Sequence, residues 1–311
     1  MHDLLQIGPF PTLAQNLIDA EYRCHSRQDL ELDENLRSRV QGIITRSNFA
    51  VSEEVIASLP RLGIIAICGV GYDLVALDAA CRRGVVVTHT PEVLNSAVAE
   101  LCIGMLLALL RRLPQADRFV RAGAWQRSVF PLASNLAGKR IGIVGLGRIG
   151  KEIAHRLEPF GVALSYFGRT DQRLQWRFEP DLHALARTSD VLILAAPGGS
   201  ATACMVDASV LAELGPDGFL VNVARGSLVD EPALLDALSH RAIAGAALDV
   251  FDHEPDIDAR WLALDNVVLT PHIGSATDET RLAMARLTLD NLHSFFERGA
   301  ALTPVDAAMP A

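Results

Sequence analysis

Short apolar runs alternate along this chain with longer stretches whose apolar residues recur at helical spacing. The runs are Ile64–Cys68 (IIAIC), Val85–Thr88, Arg140–Val144 (RIGIV), Ala163–Phe167, Val191–Ala195, Phe219–Val223, Ile243–Asp249 and Val267–Thr270. Each is flanked by turn residues or a helical segment, and each reads as a strand. Strands that are apolar on both faces and separated by helices predict parallel sheets covered on both sides. Helices are expected over 98–113, ending before Pro114, over Lys151–Phe160, and over Ser275–Arg298. The last has Asp278 and Glu279 in its first turn, Arg298 in its last and Gly299 just beyond. The alternation falls into two blocks, 1 to about 97 and about 98 to 280. The expected fold class is therefore α/β with two doubly wound parallel-sheet domains. Residues 1–40 carry little pattern.

Composition narrows the function. With 311 residues and half of them hydrophobic, the chain can bury a core without staples. The net charge is 28 − 37 = −9, which disfavours general nucleic-acid binding. The five cysteines are scattered, odd in number and without a CxxC pair, so neither a disulfide framework nor a zinc site is expected; most read as buried thiols. Met1-His2-Asp3 opens no signal peptide, and Leu101–Leu110 is too short to span a bilayer. A cytoplasmic protein is expected, with no metal, nucleic-acid or membrane partner.

The sharpest motif is Gly145-Leu146-Gly147-Arg148-Ile149-Gly150. A glycine trio alone serves an ordinary turn equally well. This one follows a strand and opens a helix, the setting in which glycines let a backbone approach a pyrophosphate and a helix N-terminus face it. Seventeen residues, Lys151–Phe167, separate Gly150 from Gly168-Arg169-Thr170 at the end of the second strand, with no carboxylate until Asp171. An Asp or Glu there would bind ribose hydroxyls. An arginine can instead pair with a 2′-phosphate, so NADP(H) is the preferred cofactor and NAD(H) the possible one.

Three later strands deliver chemistry to the same rim. Phe219–Val223 runs into Ala224-Arg225-Gly226, the next strand ends at Asp249 with Glu254 soon after, and the last runs into Pro271-His272-Ile273-Gly274. Hydride transfer to a ketone needs a proton donor, for which His272 is suited, with Glu254 to orient its ring and Arg225 to grip a substrate carboxylate. Each alone could be a cap or a solvated turn residue; it is their joint placement beside a dinucleotide loop that carries the reading. His89, His155, His183, His240, His253 and His293 lack such a setting and read as structural or exposed.

At this point the chain resembles the D-2-hydroxyacid dehydrogenase family. The matching stretches are Gly69–Asp73 (GVGYD), Thr90–Leu101, Gly138–Gly150, Asn222–Leu238, Ala246–Pro255 and Leu269–Thr277. The resemblance implies Rossmann-like and flavodoxin-like domains with a cleft between them. The substrate domain (1–97) would be completed by 281–311, and 98–280 would bind the dinucleotide. It implies catalytic Arg225, Glu254 and His272, and substrate held by Val70, Gly71, Arg225 and His272. The expected cofactor contacts are Gly145, Gly147, Arg148, Ile149, Gly150, Gly168, Arg169, Thr170, Ala196, Pro197, Val223, Ala224, Arg225, Asp249, His272 and Gly274, with Asp249 at the nicotinamide carboxamide. It also implies a homodimer. Within the family, Phe130–Leu132, Tyr166–Thr170 and Ala196–Gly199 look like the NADPH-preferring glyoxylate, hydroxypyruvate and hydroxyphenylpyruvate reductases. The expected function is thus reduction of a small 2-ketoacid to the D-2-hydroxyacid. The alternatives are an NAD-dependent D-2-hydroxyacid or phosphoglycerate dehydrogenase, and a dinucleotide-sensing binding protein on the same fold.

Overall fold

A computed structural model describes residues 2–306. Met1 and residues 307–311, the end of the expected 281–311 segment, lie outside the described residues. The chain divides into two compact units, Met1–Leu94 with Ser275–Ala311, and Asn95–Gly274. These boundaries fall earlier than the expected 97/98 and 280/281. The reason is local: a helix already starts at Asn95, and Thr277 caps the helix Asp278–Arg298 by accepting from Thr280 N–H.

The first unit is a five-stranded sheet of β1 (Asp3–Ile7), β2 (Arg23–His25), β3 (Gly42–Arg46), β4 (Ile64–Cys68) and β5 (Val86–Thr88). Their order is β2-β1-β3-β4-β5, and every pair is parallel. Alternate strand residues feed two cores. Leu4, Ile44, Ile64 and Ala66 pack with Leu289 and Leu292 of the helix Asp278–Arg298. Leu5, Ile7, Ile43, Ile65 and Ile67 pack on the other face. This period of two explains why the strands look uniformly apolar: both faces are covered. β1 and β2 fall within residues 1–40, where the pattern is weak, and β3, just beyond them, is a strand that the sequence analysis does not include.

The second unit is a seven-stranded sheet of β6 (Arg140–Val144), β7 (Ala163–Phe167), β8 (Arg177–Phe178), β9 (Val191–Leu194), β10 (Phe219–Asn222), β11 (Gly245–Leu248) and β12 (Val267–Leu269). The order is β12-β11-β10-β9-β6-β7-β8, again parallel throughout. Ala195, Val223, Asp249 and Thr270, expected as last strand residues, lie just past the strand ends. They turn into the rim loops, a step that hydropathy does not register.

Two expected helices shift. The apolar one spans Asn95–Leu110 and buries Val98, Cys102, Met105, Leu106 and Leu109. Pro114 does not end it but sits in the first turn of a second helix, Leu113–Arg121, where a missing N–H costs nothing; Arg112, at φ 54°, makes the break. The helix after the glycine loop spans Arg148–Leu157, so it begins inside the motif. It tightens to a 3-10 turn at Glu158–Phe160, where Pro159 withholds a donor. Of the cysteines, only Cys68 and Cys102 are buried; Cys24 is half-buried, and Cys81 and Cys204 are exposed, fewer buried thiols than expected.

Close backbone approach fixes the carboxyl rim of this sheet. A Cβ on Gly226, just after β10, would lie 1.9 Å from the carbonyl carbon of Phe251, just after β11. Gly226→Ala is expected to push the two loops apart and cost about 1–3 kcal/mol. That would lower Tm by roughly 2–4 °C per kcal/mol in thermal denaturation. A melt indistinguishable from the unmodified protein would show that the loops separate freely.

Candidate active site

In an open parallel sheet, ligands bind beyond the carboxyl ends of the strands, where the strand order reverses. In the second unit that reversal lies between β6 and β9. The glycine loop leaves β6 there and Ala196 and Pro197 follow β9. Gly145, at φ 92°, is the hinge: a Cβ on it would stand 2.6 Å from both N and Cα of Ala196. Only glycine accepts both the left-handed backbone and the contact. Beside it, a Cβ on Gly147 would meet nothing within 4 Å, and Gly147 precedes the first turn of the helix Arg148–Leu157. The loop thus presents open space against helix N–H groups, which suits a phosphate.

The end of β7 is adjacent, since Gly145 N–H donates to the Phe167 carbonyl at 2.9 Å. A side chain on Gly168 would also meet open space. Asp171, the first carboxylate after it, is committed elsewhere: it accepts from Tyr166 Oη at 3.0 Å and Arg173 N–H at 2.8 Å. The Arg173 N–H and then the Tyr166 hydroxyl hold its carboxyl below the usual range. Gln172 closes the turn by donating to the Leu146 carbonyl at 2.7 Å. Arg169 and Thr170 are exposed, and Arg169 makes no ion pair among the described residues.

His272 follows β12. Its Nδ1 lies 2.6 Å from Glu254 Oε2, with the two side chains 32% and 25% exposed. An ionised carboxylate can only accept, so Nδ1 carries the hydrogen and Nε2 is where a further proton can be held or released. His272 has φ 53°, and its N–H donates to the Asp249 carbonyl at 2.9 Å. Glu254 Oε1 accepts from Phe251 N–H at 3.0 Å. Burial pushes the Glu254 carboxyl upward, but the His272 bond and charge, the Phe251 N–H and the Arg225 charge outweigh it and hold the group below its ordinary range.

Arg225 is half-buried after β10, and its Nη1 donates to the Ala224 carbonyl at 2.8 Å. Its backbone is set by Asn222, a residue the motif reading did not single out. The Asn222 amide donates to the Arg225 carbonyl at 2.8 Å and accepts from Ala224 N–H at 3.0 Å. Asp249 is 1% exposed. It accepts from Thr270 Oγ1 at 2.7 Å, Ile273 N–H at 2.8 Å and Gly274 N–H at 2.8 Å, so it folds the loop that carries His272. Burial pushes its carboxyl above the usual range, against the pull of those donors and of His272. Glu231 was also missed: it accepts from Asp252 N–H and Trp261 Nε1, each at 3.0 Å, and so steadies the segment leading to Glu254. Only the tertiary fold pairs Glu231 with these groups, so no sequence signal marked it.

Val70 and Gly71 lie in the first unit, just past β4. The Val70 carbonyl is 3.0 Å from His89 Nδ1. Thr303 Oγ1 donates to the His89 carbonyl at 2.5 Å, and Asn291 holds Thr303 from the helix Asp278–Arg298. His89, read from sequence as structural or exposed, is an anchor of this loop. Thus Arg225, Asp249, Glu254, His272 and Gly274 come together with the dinucleotide loop's own sheet in one unit, while Val70 and Gly71 belong to the other.

Comparison with known proteins accords with this arrangement. Residues 103–274 match the model of the D-isomer specific 2-hydroxyacid dehydrogenase NAD-binding domain. The chain is 43% identical over 304 residues to a 2-ketogluconate reductase of Gluconobacter oxydans, covering 97% of this chain and 98% of that one. It is 42% identical over 307 residues to a glyoxylate/hydroxypyruvate reductase of Arabidopsis thaliana, with the same coverage. Among solved structures, an NADPH-dependent glyoxylate/hydroxypyruvate reductase from Sinorhizobium meliloti, in complex with NADP and malonate, superposes with a TM-score of 0.93. It is 41% identical and the match covers 100% of this chain and 99% of that one. The chain belongs to the D-isomer specific 2-hydroxyacid dehydrogenase family and is an NAD(P)-dependent oxidoreductase of the 2-ketoacid reductase type.

Proposed function

We propose that the chain is an NADPH-preferring reductase converting a small 2-ketoacid of the glyoxylate or hydroxypyruvate type to the D-2-hydroxyacid. The observation that carries this is the 2.6 Å contact between His272 Nδ1 and Glu254, with Arg225 close enough for its charge to act on Glu254. When bound, NADPH supplies the hydride that reaches the carbonyl carbon. His272 gives the proton on Nε2 to the carbonyl oxygen, and the ionised Glu254 steadies the imidazolium before transfer. Arg225 grips the substrate carboxylate and polarises the carbonyl, and on the first unit Val70 and Gly71 are proposed as substrate-binding residues. The free cysteines suit a reducing cytoplasm.

Two substitutions test the acid. His272→Ala is expected to lower kcat by about 10²–10⁴-fold, and near-normal turnover would remove the assignment. Glu254 is held ionised through neutral pH, its carboxyl lying below the ordinary range. Glu254→Gln keeps a hydrogen-bonding group beside Nδ1 but removes that charge, so kcat for ketoacid reduction should fall at least about tenfold; an unchanged kcat would refute the pairing.

The cofactor preference rests on Gly168, on Asp171 being engaged by Tyr166, and on Arg169 forming no ion pair among the described residues. A charge-assisted contact of about 1.5–3 kcal/mol gives roughly a ten- to hundred-fold advantage of NADPH over NADH in kcat/KM. Gly168→Asp with Arg169→Ala should reverse that order. Equal use of both cofactors by the unmodified protein would overturn it.

A homodimer is also part of this reading. The helix Asn95–Leu110 has most of its apolar side chains buried within the chain. The exposed apolar surface follows it. Helix Leu113–Arg121 buries no residue, and Trp125, Val129 and Leu132 are 71%, 91% and 98% exposed. Light scattering at micromolar concentration should give twice the 33.5 kDa of one chain; a single-chain mass would refute it.

A further inference from the structure

A wholly buried tyrosine controls the first acid after β7. Tyr166 lies within that strand, and its ring packs against Phe178 with the ring centres 5.3 Å apart. A phenylalanine would fill the same space; the phenol adds a buried hydroxyl that must find partners. Both partners lie in the loop that follows β7. Oη accepts from Gln172 N–H at 2.8 Å and donates to Asp171 Oδ1 at 3.0 Å. Burial pushes the phenol's pKa above its ordinary value; the Gln172 N–H opposes this, and the Asp171 bond and charge add to it, so the proton stays on Oη.

Asp171 matters because of where it stands. It is exposed, two residues from Arg169 and three from Gly168. The Arg173 N–H, the Tyr166 hydroxyl and the Arg173 charge hold its carboxyl below the usual range, so it is ionised at neutral pH. An unrestrained carboxylate at this point would repel a phosphate bound at Gly168-Arg169-Thr170, or would pair with Arg169 and consume its charge. Two bonds to Oδ1 prevent both. One comes from the buried Tyr166, and the other from Arg173 N–H at 2.8 Å, which closes a tight turn on the aspartate. Gln172 adds a further tie, its side-chain amide donating to the Leu146 carbonyl of the glycine loop at 2.7 Å. Arg169 and Thr170 stay exposed, and Arg169 forms no ion pair among the described residues.

We propose that Tyr166 is a specificity-determining residue for the cofactor: by tying back Asp171, it keeps that carboxylate from opposing a 2′-phosphate and from capturing Arg169. The proposal rests on the reading that this loop takes NADPH in preference to NADH. Tyr166 acts through Asp171, so it sets the ratio between the two cofactors and leaves the chemical step alone.

The test compares two fragments that differ only in the 2′-phosphate, 2′,5′-ADP and 5′-AMP. Their affinities are measured by titration calorimetry, and the kcat/KM ratio of NADPH to NADH with glyoxylate is measured alongside. Tyr166→Phe removes one oxygen and keeps the ring. It should weaken 2′,5′-ADP relative to 5′-AMP by at least about fivefold, the scale of one charge repulsion near water. Adding Asp171→Asn to that variant should return the ratio to within about twofold of the unmodified protein, because the charge that Tyr166 restrains is then gone. Asp171→Glu is an independent arm and serves if the phenylalanine variant does not fold. It keeps the charge but is too long to close the same turn, and it should lower the ratio in the same direction. An unchanged ratio in Tyr166→Phe or in Asp171→Glu overturns the proposal. So does a loss shared equally by both fragments, or one that Asp171→Asn leaves in place, since the hydroxyl would then only brace the loop. These results leave the cofactor reading standing as long as the unmodified protein prefers 2′,5′-ADP. Equal affinity of the unmodified protein for both fragments overturns that reading, and the proposal with it.

Discussion

The working rim of the second unit depends on backbones lying closer together than side chains permit. Gly145 sits against Ala196 across the β6/β9 reversal, and Gly226 sits against Phe251 across β10 and β11. In both places a Cβ would meet backbone, which cannot swing away as a flexible side chain can. The contacts set how near the phosphate loop, the Arg225 turn and the Glu254 segment can come. Each functional group then inherits its place from a loop whose path has little freedom. Packing of this kind transmits error: a fraction of an ångström at Gly226 becomes a displaced Arg225.

Electrostatics add a second layer of order on that frame. Asp249 is buried, yet three donors from the β12 loop converge on it, and its own carbonyl receives the His272 N–H. Its buried charge is offset by folding the loop around it. Glu254 faces the opposite balance: partly exposed, with His272, Phe251 N–H and Arg225 around it, it is stabilised as a carboxylate. Two acids a few residues apart are thus pushed in opposite directions by burial and by partners. One organises a loop, and the other holds the His272 ring through Nδ1.

In the first unit the corresponding frame is a relay of hydrogen bonds. Asn291, fully buried on the helix Asp278–Arg298, holds Thr303; Thr303 holds His89; and His89 Nδ1 meets the Val70 carbonyl. The last helix of the chain therefore supports a loop more than two hundred residues earlier, His89 and Thr303 being 214 apart. This is why a unit made of two distant chain segments behaves as one body.

The sequence by itself determined the strand–helix alternation, the dinucleotide loop, and the trio Arg225, Glu254 and His272. These are short-range signals: apolar runs, glycine spacing, and the residue types that follow strand ends. It also flagged the absence of a carboxylate at Gly168. Only the tertiary structure decided that Asp171 turns to Tyr166, that Asn222 and Glu231 brace the turns beside Arg225 and Glu254, and that Pro114 starts a helix instead of ending one. It alone brought β1 next to β3, where Arg46 donates to the Pro9 carbonyl. The reason is physical. A strand or a glycine turn is fixed by neighbours a few residues away, whereas the partner of a charge or an amide is fixed by which strands lie side by side, and that order is not written in local periodicity.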